Sequence, residues 1–77
     1  MKQKDVSYDV WVNAVAIKTV EETHPNASNL FDAYGIICLR YYDMYKKHDI
    51  DTDVYAKAMI ALNEGYIYAL EYNGIKS

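Results

Sequence analysis

The stretch TDVYAKAMIALNEGYIYALEY, residues 52–72, decides the fold. At 100° per residue, Tyr55, Met59, Leu62, Tyr66 and Leu70 fall on one apolar stripe, the recurrence of an amphipathic helix rather than of a strand. Asp51 stands where an N-cap is wanted, Ile50 and Tyr55 have the spacing of a hydrophobic staple, and Gly74 lies just past the end as a stop. The polar side is narrow: Lys57, Glu64 and Glu71 recur at intervals of seven, with Ile60 and Ile67 bordering them. Apolar residues therefore cover more than half of the circumference. Ala61, Gly65 and Ala69, with Ala58 beside them, add a strip of small side chains on which another helix can approach closely. A mid-helix glycine costs about 1 kcal/mol relative to alanine, so the strip asks for a packing reason. Either the first helix of the same chain or a helix of a partner would supply one.

Upstream, Leu30, Tyr34, Ile37, Cys38, Tyr41, Met44 and Tyr45 share a second helical face, and Asp32, Arg40, Asp43 and Lys47 the opposite one. Ile36 and Leu39 interrupt that polar side. The segment His48 to Asp53 supplies the loop between the two helices. Further upstream, Ser7 is positioned as an N-cap, Asp9 sits in the first turn against the helix dipole, and Val6 and Trp11 are spaced as a staple. Val10 to Ile17 is rich in β-branched residues, which leaves a buried strand open as an alternative for that run. Pro25 ends the first segment, because proline disfavours helical geometry in the residue before it. The reading is thus an all-α, three-helix up-down-up bundle in one domain over residues 1–77, with helices over about 7–23, 28–47 and 52–72.

Seventy-seven residues bury only about 60% of the surface they expose when unfolded, so the margin of stability is small and a partner subunit is one way to widen it. Cys38 is alone and cannot form an internal bridge, which points to a reducing cytoplasmic setting with Cys38 as a small core residue. No uninterrupted apolar run of signal-peptide length follows the lysines of the first five residues and no stretch of about 18 apolar residues exists, so neither secretion nor membrane insertion is expected. Without a secretory signal, Asn26-Ala27-Ser28 reads as helix-capping chemistry rather than as a glycosylation site. A formal charge of −3, with acids spread along the chain, argues against broad phosphate-backbone binding. Seven lysines stand against one arginine, a usage common in AT-rich genomes.

Candidate chemistry fails on pattern. Asp49, Asp51 and Asp53 open like a calcium loop, but Val54 replaces the glycine of its sharp turn and Ile60 its bidentate glutamate. Glu21 and His24 have the Glu-x-x-His spacing of di-iron bundles, which need two such motifs. His24 and His48 lie at opposite ends of a helix roughly 30 Å long and more naturally meet helix C-terminal carbonyls, as do Lys46 and Lys47. Ser7, Ser28 and Ser77 have no base placed to serve them. No catalytic residue, metal or cofactor is expected.

Nine tyrosines, each with a large apolar body and a hydroxyl that wants a partner, suit half-buried and recognition positions. Tyr42, Tyr68 and Tyr72 fall off the core stripes and are candidates for an exposed contact surface. Together with the surplus apolar positions they predict self-association as a homodimer, docking on a larger protein, or both, through Ile36, Leu39, Ile60, Ala61, Gly65, Ile67, Tyr68, Ala69 and Tyr72. The function expected is a non-catalytic regulator, adaptor or inhibitor, of a kind that phages and mobile elements encode. The alternative is a nucleic-acid-binding regulator, in which Arg40, Tyr42, Lys46 and Lys47 stack on and neutralise a single strand.

Overall fold

A computed structural model of the chain describes residues 6–71. They form three helices, α1 over Tyr8–Thr23, α2 over Leu30–Lys46 and α3 over Thr52–Glu71, and no strand among the described residues. Val10 to Ile17 is therefore helical. The sequence outlines why: Ser7 Oγ accepts from Val10 N at 3.3 Å and Asp9 occupies the first turn, so the helix start is satisfied before its β-branched residues arrive. Val6 and Trp11 both pack against the cluster of Val10, Ala14, Tyr68 and Ala69.

The second helix begins at Leu30, two residues later than expected, because Asn29 rather than Ser28 is its cap: Asn29 Oδ1 accepts from Asp32 N at 2.8 Å. Asp32 reaches back in turn, its carboxylate accepting from Ser28 Oγ at 2.6 Å and Ser28 N at 3.2 Å. The hydroxyl and then the amide of Ser28 hold the Asp32 carboxyl below its ordinary 3.8. A depressed folded-state value stabilises the fold above that ordinary value and is lost as pH falls through the lower one. Asp32→Asn is expected to lower Tm at neutral pH, with the gap to the wild-type protein closing as thermal melts are repeated below pH 3.8.

The end of α2 closes without glycine. His48 N donates to Tyr45 O at 3.1 Å and Asp49 N to Met44 O at 2.9 Å, the paired bonds of a Schellman turn, with His48 in the left-handed region at φ 65°. Glycine carries no Cβ penalty in that conformation. His48→Gly is expected to raise stability by about 1 kcal/mol in urea titration, and His48→Ala is expected to bring no gain. Asp51 Oδ1 then accepts from Val54 N at 2.8 Å and starts α3 as its cap.

The α2–α3 hairpin is antiparallel: Phe31 and Tyr34 at the start of α2 lie against Tyr66 near the end of α3, and Tyr45 stacks on Tyr55 at 4.7 Å. Helix α1 crosses both of the others: Val10 and Ala14 share a cluster with Tyr68 and Ala69, Ile17 shares one with Ala33, Ile37 and Leu62, and Asn13 meets Tyr41. The all-α, three-helix fold expected from the sequence is the one observed. The connection after α1 is extended at His24 (ψ 129°) and Asn29 (ψ 176°) and buries Ala27. The outcome is thin, 36 × 30 × 14 Å, with Ile17 and Leu62 as the largest fully buried side chains.

Candidate interaction surface

The helical strip of small residues in α3 is taken by the chain itself. A Cβ built on Gly65 would lie 2.8 Å from Asn13 Cβ, 2.9 Å from Ala14 N and 3.0 Å from Val10 O, so α1 crosses α3 at backbone contact. Gly65 and Ala69 are buried and Ala61 half-buried, and Tyr68, expected on the outside, is only 5% exposed in the same cluster. Gly65, Tyr68 and Ala69 therefore drop out of any outward surface. The physical cause is that α1 seats on the smallest side chains of α3, which turns its buried face toward them and away from the stripe of large ones. Leu70, at the far edge of that stripe, is left 51% exposed.

Asn13 fixes α1 against α2. It is buried, its Nδ2 donates to Asp9 O at 2.8 Å and its Oδ1 accepts from Tyr41 OH at 3.2 Å, which satisfies both ends of the amide. Sequence reading passed over this residue; its signal was one polar position inside the apolar run Val10 to Ile17. Ile36 is a further correction: it is half-buried against the cluster of Ile17, Ala27, Ala33, Ile37 and Leu62 and so is not a free contact residue. Tyr72 lies outside the described residues.

What remains outward is apolar. On α2, Phe31, Leu39 and Tyr42 are exposed, Leu39 to 68%. Phe31 was not anticipated. On α3, Ile60 is 59% and Ile67 55% exposed, and Ala56 and Leu70 are exposed with them. Between the two helices Tyr34 stacks on Tyr66 at 4.7 Å and its hydroxyl donates to Asn63 Oδ1. Burial, then the neighbouring Cys38 and Tyr66, push the Tyr34 phenol above its ordinary 10.0, so it stays the donor of this bond. Cys38 is half-buried beside it.

The basic and aromatic end of α2 is not laid out as a strand-binding platform. Lys47 Nζ pairs with Asp43 at 2.9 Å, which raises the Lys47 pKa, and Lys46 Nζ lies 5.9 Å from the ring centroid of its own neighbour Tyr42. Arg40 is exposed on the same helix. His24 Nδ1 accepts from Asn26 N at 3.1 Å, a turn contact. Glu21 is engaged by Lys18 at 3.0 Å. Among the described residues no three His, Cys, Asp or Glu side chains converge to hold a metal, and no helix is long and apolar enough to cross a membrane.

Compared with family models, curated proteins and solved structures, the chain matches none.

Proposed function

We propose that this chain is a non-catalytic interaction module, a small regulator, adaptor or inhibitor that works by placing the outer face of α3 and the adjoining side of α2 against another protein. The observation that carries the reading is the outward apolar set Phe31, Leu39, Ile60, Ile67 and Leu70. Five large apolar side chains at half exposure or more are a heavy load for a chain this small, and apolar surface left outward on that scale is what a contact site would cover. A cytoplasmic setting belongs to the same proposal and is supported by the lone, half-buried Cys38.

Nucleic-acid binding is the weaker reading, because Lys47 is neutralised within its own helix and Asp49, Asp51 and Asp53 follow directly. The test is affinity capture from the native host with three baits: the wild-type chain, Ile60→Glu/Ile67→Glu, and Lys46→Ala/Lys47→Ala. Loss of a specific protein with the α3 double variant alone is the expected result. Salt-sensitive capture of nucleic acid that disappears with the lysine variant would overturn it.

A further inference from the structure

The exposed face of α3 has a spacing that points to its occupant. Ala56, Ile60, Asn63, Ile67 and Leu70 follow one another at intervals of 4, 3, 4 and 3, and all five are exposed. That is the a/d seam of a coiled coil, the pattern by which one helix meets another along its length rather than at a single crossing. Along one flank of the seam run Lys57, Glu64 and Glu71, also exposed and seven residues apart. Along the other lie Met59 and Tyr66, which are covered by α2.

We infer that the seam is occupied by a second copy of this chain, the two α3 helices packing antiparallel about a two-fold axis. This rests on the interaction-module reading and names its partner. Charge selects both the copy and the direction. Antiparallel pairing sets the Lys57, Glu64, Glu71 row against the same row reversed, so that Lys57 of each copy faces Glu71 of the other, twice by symmetry, against one Glu64–Glu64 approach at the axis. Parallel pairing would set the row against the Met59/Tyr66 flank, where α2 stands and no charge answers it. Phe31, its ring 6.4 Å from that of Tyr66, extends the contact along the α2 edge.

The area suits a reversible dimer. Five seam positions with Phe31 bury on the order of 600 Å2 per copy, about 1,200 Å2 in all, the lower edge of specific interfaces. With no strong anchor in the seam, a dissociation constant of about micromolar or weaker is expected. Asn63 makes the pairing selective rather than tight. Its Oδ1 is held by Tyr34, and a polar side chain inside such a seam lowers affinity while fixing register.

The test is sedimentation velocity on the full chain across roughly 1 µM to 1 mM, with circular dichroism to confirm that each variant is folded. The wild-type protein is expected to shift from monomer to dimer over that range. Ile67→Glu is expected to raise the dissociation constant at least about tenfold, and Val12→Glu, an exposed position on α1 away from the seam, to change it less than about twofold. Lys57→Glu and Glu64→Lys/Glu71→Lys should each weaken self-association, and a mixture of the two should form heterodimers. A wild-type chain that stays monomeric to 1 mM overturns the inference, as does a dimer disrupted by Val12→Glu and not by Ile67→Glu. A monomer that still loses a captured protein when Ile60 and Ile67 are changed would sink the second copy and leave the module reading standing. A monomer that captures nothing would sink both.

Discussion

Gly65→Ala is expected to lower the stability of the chain by about 2 kcal/mol, while the same exchange at Gly35 is expected to raise it by up to about 1 kcal/mol. In a helix interior with room for a methyl group alanine is favoured over glycine, and Gly35 is such a site, with nothing within 4 Å of where its Cβ would stand. At Gly65 the new methyl would meet Ala14 N at 2.9 Å and Val10 O at 3.0 Å, both of them backbone atoms. A flexible side chain could yield to that contact. A helix backbone cannot, so α1 must move off and loosen its hold on Tyr68 and Ala69. Urea titrations of the two single variants and the double variant check this: opposite signs are expected, and additivity, since the sites sit on different helices without shared partners. A neutral or stabilising Gly65→Ala would show that α1 does not sit this close.

Leu62→Ala is expected to cost about 3 kcal/mol. Leu62 is one of the two largest side chains fully removed from solvent, and it joins Ile17 of α1 to Ala33 and Ile37 of α2. Removing it empties a place where all three helices meet. A domain of this length holds roughly 4–12 kcal/mol in all, so the loss takes a large part of the margin. The expected reading is a urea midpoint lowered in proportion with an unchanged slope; a flattened slope would mean that α1 detaches on its own rather than that the whole fold weakens. Phe31→Ala, a larger truncation at an exposed site, should cost far less in the monomer.

The helix ends were largely legible in the sequence, because capping is a local matter: Ser7 and Asp51 do what their side chains suggest, and Asn29 differs from expectation by one residue. Faces were legible only in part. Counting large side chains placed the core of α3 along Tyr55, Met59, Leu62, Tyr66 and Leu70, whereas close approach at Gly65 turned the buried face toward Ala69 and Tyr68 and exposed Leu70. The glycine was the better signal, since a helix interior tolerates one at a cost only where something comes near. Periodicity says which side of a helix is apolar, and says nothing of where on that side a neighbour crosses. Of the outward set, Leu39, Ile60 and Ile67 could be read from interruptions in polar faces, and Phe31 could not, because it sits next to core positions and its exposure depends on where α3 stands.

The course of α1 sets an order on how the chain can assemble. The α2–α3 hairpin joins residues separated by a short turn, with Tyr45 already stacked on Tyr55 ten positions later, so it can close on its own and early. Helix α1 belongs beside the far end of α3, and the contact between Ala14 and Gly65 has to close a loop of 51 residues. That closure is the slow, non-local step of a helical fold whose other contacts are local. Until it happens Gly65, Ala69 and Tyr68 are bare, and a nascent hairpin would carry two open apolar sides instead of one.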